Sequence, residues 1–372
     1  MPQYLIYGGT PFESEDIGER EIVEKNMFGG NVGNELFFNS VVRSLSDNPT
    51  HDFSRLGIHH AHIDEVKYVI LPLANLVRRG CENEISNLYN LLINSCTPFV
   101  VIGVGSDSSS NLVPDLSPEV IEIASKFFNA ALERTASIGV RGERTQEVFI
   151  IALGLPKDRV RVIGCPSVQY FGKRFEKRLE GYQDFSSKTK IAVYYTAYMY
   201  DNDEAIFLYK LLKNHKESYV FFTDKVEAEL LWDHKPMPQN RVHDLLPTYP
   251  GHFIIRGKRA NFFATQKRLM ESLSGFDFTI GTRIHGIIAS ILSGVPGILL
   301  STSLRTLEIA QYHNIPYIMR SDIQETTSVE LLYYKACLGM KKFYESYDEK
   351  LDVYTAFLRE NNLPLSSHYC QL

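Results

Sequence analysis

The segment between residues 276 and 300 most narrowly limits what this chain can fold into. Two apolar runs, at 276–280 and 295–300, are separated by a turn and by a helical pattern at 284–293 that ends at Gly294. This strand–helix–strand succession is typical of a βαβ unit, which needs a parallel sheet covered on both faces. The chain is therefore expected to contain a buried parallel sheet.

The same alternation of strand-like and helical patterns extends along the chain. Apolar runs of the buried parallel kind occur at 66–71 and 99–104, with a helical pattern between them at 82–95. Repeated units of this kind favour an α/β fold of two Rossmann-like doubly wound domains that face each other across a cleft. The predicted divisions are an N-terminal domain at 1–171, a linker at 172–188, a C-terminal domain at 189–345, and a C-terminal helix and tail at 346–372.

Charge and cysteine usage exclude several classes of protein. Lys and Arg number 39 against 44 Asp and Glu, a formal net charge of -5, so the chain lacks the basic field expected of a nucleic-acid-binding protein. The five cysteines form no Cys-x-x-Cys pair and have no zinc-ligand spacing, which indicates reduced thiols. With no apolar run of ~18 residues and no signal-peptide pattern at its start, the chain is expected to be cytoplasmic.

A cationic pair lies at the turn between the strand and the helix of the βαβ unit. Arg283 and His285 follow the strand at 276–280, and open α/β sheets bind ligands beyond the carboxyl ends of their strands. Thr282 is expected to cap the helix, so that free backbone amides and the positive end of the helix dipole face an anion beside the pair. The structural alternative is that Thr282 caps, Arg283 is solvated and His285 bonds a carbonyl.

Three segments resemble the motifs of the polysaccharide pyruvyl transferase family. The first is Arg283-x-His285, followed by an apolar helix and the turn Gly294-Val295-Pro296. The second begins at 137–145 and continues through a helix to 160–166, and the third is the short segment 31–35. The resemblance implies a GT-B-like fold, phosphoenolpyruvate as the donor and no cofactor. It also implies transfer of the pyruvyl group to two hydroxyls of a sugar in a cell-surface or exopolysaccharide precursor, which forms a ketal and releases phosphate.

Such a donor carries close to three negative charges, and cationic side chains at strand ends suit it. The predicted donor-binding residues are Arg141, Arg283, His285, Arg305 and Ser301. His285 is the predicted proton donor to the methylene carbon, and Arg283 and Arg141 are the predicted catalytic arginines. Two alternatives stay open: His285 could bind phosphate only, and the arginines could pair with carboxylates such as Glu143 or Glu308.

The acceptor side is predicted in less detail. Its candidate residues are Asn31, Gly33, Asn34, Glu35, Gly105 and Asp107. The sequence departs from the family pattern twice, because many members have aspartate where this chain has Asn34 and often have lysine where it has Arg305. The base is therefore left open, with Glu35, Asp107 or another acid as candidates. Helix capping and a tight turn are the structural alternatives for these positions.

Two other functions are compatible with the sequence. A GT-B nucleotide-sugar glycosyltransferase would use Arg283 and Arg305 on a diphosphate, whereas a non-catalytic glycan-binding protein would leave the clustered cations unexplained. No metal site is expected, because His59, His60 and His62 have no partner at ligand spacing. The expected partners are phosphoenolpyruvate and a glycan or lipid-linked saccharide, with no nucleic acid. A lipid-linked acceptor would bring the protein to the inner face of the plasma membrane.

Overall fold

Parallel strands and helices alternate through the described part of the chain. The computed structural model describes residues 4–7, 18–45, 63–106, 116–178, 181–196, 202–238 and 245–370. Every pairing between named strands in these ranges is parallel. The predicted α/β class is thus confirmed, and the strands fall into two lobes.

The strands of the first lobe are neighbours in chain order. They are β1 Tyr4–Ile6, β2 Tyr68–Pro72, β3 Phe99–Ile102, β4 Ile138–Val140 and β5 Val160–Val162. The first three form one sheet and the last two another, and a parallel bridge between Val104 and Val140 joins them. The helices between these strands are α2 Gly33–Ser44, α3 Glu82–Ile93, α4 Pro118–Leu132 and α5 Glu143–Ile151.

The second lobe is built on a six-stranded sheet whose strand order reverses. Its strands are β6 Ile191–Tyr194, β7 Ser218–Phe222, β8 Ala260–Phe262, β9 Phe278–Gly281, β10 Gly297–Ser301 and β11 Tyr317–Met319. The order across the sheet is β8-β7-β6-β9-β10-β11, which is the order of a dinucleotide-binding Rossmann sheet. Its helices are α6 Asn202–Asn214, α7 Lys225–Asp233, α8 Phe253–Arg256, α9 Gln266–Leu273, α10 Ile284–Leu292 and α11 Leu304–Tyr312. The reversal between β6 and β9 makes a topological switch point, where such sheets bind ligands.

One hydrophobic core is shared by the two lobes. It contains residues of the first sheet, such as Ile70 and Val100, together with residues of the second, such as Ala192 and Leu299. Helices α2 and α10 lie in this shared core, and each lobe has a further core on its outer side. The two lobes are therefore packed against each other, and the amino-terminal ends of α2 and α10 meet where they join.

Two segments cross from one lobe to the other. Helix α1, Glu19–Glu24, packs on α7 of the second lobe, where Arg20 pairs with Asp233 at 2.9 Å. Helix α12, Val329–Glu360, runs unbroken past the division predicted at residue 345 and ends on the first lobe. There Asn361 accepts hydrogen bonds from the backbone of Ala136 and Ser137 at 3.0 and 3.2 Å.

The structure also adds elements that the sequence did not define. The apolar run at 253–255 forms a single helical turn, and the strand after it lies at 260–262. Helix α11 and strand β11 occupy a region, 301–328, for which the sequence predicted no element. No helix among the described residues is both long enough and apolar enough to cross a bilayer.

Candidate active site

The switch point of the second sheet brings the end of β6 against the turn that follows β9. A β-carbon at Gly281 would lie 1.9 Å from the carbonyl oxygen of Tyr194, so only glycine fits at this crossing. The capping role predicted for Thr282 is wrong. Arg283 occupies the N-cap position of α10, and the Thr282 hydroxyl instead lies 3.0 Å from that of Thr196. The residue lies one position too early in the turn to reach the helix amides.

Arg283 is ion-paired within its own lobe. Its Nη2 donates to Oδ2 of Asp224, and its Nε donates to the carbonyl of Tyr195 at 3.3 Å. The side chains of Arg283 and Asp224 are 20% and 15% exposed, so both are partly accessible to solvent. The alternative of a carboxylate partner is the one observed here, although the partner is Asp224 rather than Glu143 or Glu308.

Asn31 reaches the same carboxylate from the segment that crosses between the lobes. Its Nδ2 donates to Oδ1 of Asp224 at 2.6 Å, while its Oδ1 accepts from the backbone N–H of Gly33 at 2.8 Å. Asn31 therefore binds the first backbone N–H of α2, one residue before the N-cap Val32, and also contacts the site. Asn31 was predicted for the acceptor side and Arg283 for the donor side, yet both bind Asp224.

Glu227 lies one helical turn beyond Asp224 and is buried. Its Oε2 accepts from the backbone N–H groups of Thr223 and Asp224 at 2.6 and 2.9 Å, while its Oε1 has no hydrogen-bond partner among the described residues. Burial, and secondarily the charge of Asp224, raise the pKa of Glu227 to about 7. Sequence reasoning missed both acids. The signal was present as Asp224-x-x-Glu227 after a buried strand, a pattern typical of a capping box.

Arg141 lies at the opposite side of the site and is buried, with 2% of its surface exposed. Its Nε donates to the carbonyl of Gly103 at 2.9 Å, its Nη1 donates to Asn75 at 3.1 Å, and its guanidinium lies 5.0 Å from the ring centre of Phe37. Its Nη2 is buried and has no hydrogen-bond partner among the described residues. Burial lowers the pKa of Arg141 to about 10, so the group stays charged at neutral pH.

His285 lies between the lobes. Its Nε2 is 3.8 Å from Sγ of Cys165, a first-lobe residue that the sequence did not single out. A β-carbon at Gly33 would lie 2.8 Å from Cβ and Nδ1 of the histidine, so glycine at the start of α2 permits this approach. Burial, followed by the charges of Arg141 and Arg305, lowers the pKa of His285 to about 3. The imidazole is therefore neutral in the ligand-free site, unlike the charged form expected of a proton donor.

Arg141, His285 and Arg305 thus belong to one electrostatic cluster, since the charge of Arg305 also lowers the pKa of Arg141. The nearby carboxylate is Glu308, which accepts from the backbone N–H and the hydroxyl of Thr145 at 3.1 and 2.8 Å. Burial raises the pKa of Glu308. This acid offsets the arginines only in part, because one carboxylate carries a single negative charge and faces two guanidinium groups.

The remaining predicted residues have mainly structural contacts. Ser301 lies within 3.3 Å of the Ser303 carbonyl, Asn34 donates to the carbonyl of Phe28 at 3.1 Å, and buried Glu35 lies 3.5 Å from the amide of Gln266. Gly105 lies against Arg141, since a β-carbon there would be 3.1 Å from the arginine Cδ. Asp107 falls outside the described residues.

Metal and disulfide chemistry have little support in the described part of the chain. No three His, Cys, Asp or Glu side chains within it are grouped as metal ligands would be, and His59, His60 and His62 lie outside it. All five cysteines are free thiols, of which Cys81 and Cys165 are buried.

Comparisons with known proteins bear on both the fold and the family. Among solved structures, Alr3699/HepE of Anabaena in complex with UDP and glucose has a TM-score of 0.51 at 10% identity, covering 96% of this chain and 99% of that one. A functionally uncharacterised protein of Klebsiella pneumoniae has a TM-score of 0.44 at 11% identity, covering 86% and 93%. At 10% identity the likeness to the Anabaena protein concerns the fold alone, and together with the two parallel sheets it confirms the predicted GT-B-like arrangement.

Sequence comparison assigns the family. No curated protein matches the chain. A family model described as polysaccharide pyruvyl transferase matches residues 31–303, which include Arg141, Asp224, Arg283 and His285 but not Arg305. Because this match spans well over half of the chain, the protein is a transferase that belongs to the polysaccharide pyruvyl transferase family.

Proposed function

We propose that the protein transfers the enolpyruvyl group of phosphoenolpyruvate to two hydroxyls of one sugar in a cell-surface or exopolysaccharide precursor. The products are a pyruvate ketal and phosphate. The observation that carries this proposal is the buried Nη2 of Arg141, which has no hydrogen-bond partner among the described residues. A buried donor left unsatisfied costs about 1–3 kcal/mol. A ligand oxygen bound there would remove that cost.

The charges around Arg141 favour a small polyanion. Arg141 and Arg305 repel each other and together disfavour a charged His285, as their effects on pKa indicate. A phosphate and a carboxylate placed among them would relieve this repulsion and accept charge-assisted hydrogen bonds. Phosphoenolpyruvate carries both groups. Arg283, predicted as a further donor ligand, would join only if the donor displaced Asp224 from it.

His285 can act as the proton donor only once the donor is bound. A trianion beside the imidazole offsets the two arginine charges, so the pKa of His285 rises from about 3 toward its ordinary range. The proton then passes to the methylene carbon and leaves an oxocarbenium-like centre at the carbon that bears phosphate. A sugar hydroxyl adds to that centre, the C–O bond to phosphate breaks, and a second hydroxyl closes the ketal. No cofactor takes part in these steps.

The acceptor would approach from the side of Asn31 and Arg283, which are partly exposed. If the saccharide is attached to lipid, the reaction would take place at the inner face of the plasma membrane, with the protein in peripheral contact.

The direct test is acceptor-dependent release of phosphate. The protein is incubated with phosphoenolpyruvate and a panel of oligosaccharides, phosphate is measured, and the glycan is analysed by mass spectrometry. We expect phosphate release only with an acceptor, together with a glycan mass gain that matches a ketal. The rival function, transfer of a sugar from a nucleotide donor, predicts instead that UDP-sugars or GDP-sugars are consumed and the nucleotide is released. That result would overturn the proposal.

A further inference from the structure

We propose that Asp224 is the base that takes the proton from the sugar hydroxyl that attacks the donor. This inference rests on the proposed function and assigns the base that the family motifs leave undefined in this chain. Asp224 directly follows strand β7, beside the switch point of the second sheet. Ligands of open α/β sheets bind at such strand ends.

The contacts of Asp224 fix its carboxylate without using all of its capacity. Oδ1 accepts from Asn31 and Oδ2 from Arg283, so both oxygens are held in place. An ionised carboxylate has about four lone-pair sites. Even when the capping-box contact from the backbone N–H of Glu227 is counted, at least one site remains for a hydroxyl, and the side chain is 15% exposed on the side from which an acceptor would approach.

The hydrogen-bonding groups around Asp224 also suit a sugar. Asn31 contributes an amide and Arg283 contributes a guanidinium, and both contact the same carboxylate from different segments of the chain. Together, amide, guanidinium and carboxylate groups can both donate hydrogen bonds to adjacent hydroxyls and accept hydrogen bonds from them. This mixed set differs from the arginine-rich cluster around Arg141, which suits an anion.

Glu227 would act as a positioning residue for Asp224. Its Oε2 holds the backbone N–H of Asp224, and its buried Oε1, which has no partner among the described residues, lies in the same electrostatic cluster. The other described acids of the site are less suited. Glu308 is 4% exposed with both oxygens on Thr145, and Glu35 is 8% exposed.

The proton balance is consistent with one base. As the hydroxyl oxygen bonds to the central carbon of the donor, its O–H bond breaks and the proton moves to Asp224. The two hydroxyls lose two protons in all. One replaces the proton that the methylene carbon gains, and the other leaves with phosphate as hydrogen phosphate. Asp224 therefore ends the cycle ionised, as it began.

The test compares Asp224→Asn with wild type in the phosphate-release assay and in calorimetric titration with phosphoenolpyruvate. The amide still accepts one of the two hydrogen bonds but cannot take a proton. We expect transfer to fall at least about 100-fold, the range of a lost general base, with donor affinity within about threefold of wild type. The matched control is Asp233→Asn, which removes the carboxylate of another arginine pair, Arg20–Asp233, at the exposed far end of α7. This control should leave both the transfer rate and the donor affinity unchanged.

Three outcomes would count against Asp224 as the base. Transfer within about tenfold of wild type would mean that another group takes the proton. Loss of donor affinity together with transfer would mean that Asp224 only positions Arg283 on the donor. A wild-type protein that releases no phosphate would overturn the proposed function itself, independently of the variant. If Asp224→Asn fails to fold, Asp224→Glu serves instead: its displaced carboxylate should slow transfer with donor affinity retained, and unchanged transfer would refute the role.

Discussion

Arg283 and Arg141 follow parallel strands of the two lobes, but their charges are compensated to very different degrees. Arg283 is partly exposed and paired with Asp224, which also holds Asn31. Arg141 is buried, stacks on Phe37 and keeps one donor without a partner among the described residues. The difference shows that the type of residue and its place at a strand end do not define its role. The partners that the fold brings to it do.

The difference also divides the site into two halves. The half around Arg141, His285 and Arg305 carries positive charge that Glu308 offsets in part, so it gains most from an anion. The half around Arg283 already contains its own carboxylate and gains little. The donor and the acceptor would therefore occupy different halves, with His285 where the two meet.

Arg141→Met should have the largest effect on donor binding. The variant keeps the volume of the side chain but removes its charge and its unpaired donor. Losing two charge-assisted hydrogen bonds at roughly 1.5 kcal/mol each should weaken phosphoenolpyruvate binding about 100-fold. Stability should also fall, because the carbonyl of Gly103 and the side chain of Asn75 lose their hydrogen-bond donor, although removal of a buried charge offsets part of this loss. Calorimetric titration and thermal unfolding measure the two quantities.

Arg161→Met is the control for that variant, because Arg161 forms an exposed ion pair with Glu360 away from the site. Its donor affinity should equal that of wild type. If Arg141→Met also bound the donor normally, Arg141 would be a structural residue and the charge-rich half would not be the donor site.

Arg283→Met should weaken donor binding less than Arg141→Met, by about tenfold at most. The physical reason is that Arg283 already has a partner, so a donor oxygen gains less there than beside an unpaired group. The same titration measures it. A loss as large as that of Arg141→Met would show that the donor displaces Asp224 and that the two halves form one anion site.

Local patterns were sufficient to predict the fold class and the strand–helix units. The βαβ unit at 276–300 appears as β9, α10 and β10 with ends shifted by a few residues, because its apolar periodicity is strong and Gly294 ends the helix. The run at 253–255 was ambiguous, since three apolar residues satisfy one helical turn as well as a short strand.

The partners of the site residues depend on strand order, which short-range patterns do not contain. Asp224 and Arg283 are 59 residues apart and meet because β7 and β9 both flank β6. Asn31 joins them from a segment that leaves its own lobe, at a separation of 193 residues. The neutral state of His285 likewise results from arginines contributed by other elements. The sequence could indicate where anions bind, but not which arginine was already paired.

Donor binding should carry a proton into the site. His285 has a pKa of about 3 without ligand, and a bound trianion raises this pKa. At any pH between the pKa of the free site and the higher pKa of the complex, the histidine therefore takes up a proton when the donor binds. Above about pH 7, where the free donor is already mostly a trianion, we expect a net uptake of a fraction of a proton per donor bound and an affinity that falls as pH rises. Titration in two buffers of different ionisation enthalpy measures the uptake.

His285→Gln should lower that uptake, whereas His234→Asn, at the exposed carboxyl end of α7, should not change it. Equal uptake in wild type and His285→Gln would assign the proton to the donor phosphate and remove the reason to regard His285 as its carrier.

The smallest expected effect concerns Glu227, in the half of the site that Asp224 already compensates. Its pKa of about 7 exceeds the ordinary 4.5, so the folded state holds a proton that the unfolded state has released between these pH values, and stability falls as pH rises through this window. Between pH 6 and pH 8 this contributes about 1 kcal/mol of lost stability. Glu227→Gln should lack that loss of stability while keeping an oxygen for the two backbone N–H groups.

Urea unfolding of wild type and variant at both pH values measures the difference, with Glu229→Gln on the same helix as control. An unchanged pH dependence would mean that Glu227 is ionised in the fold, and Asp224 would then lie beside a second full negative charge that Arg283 must also offset.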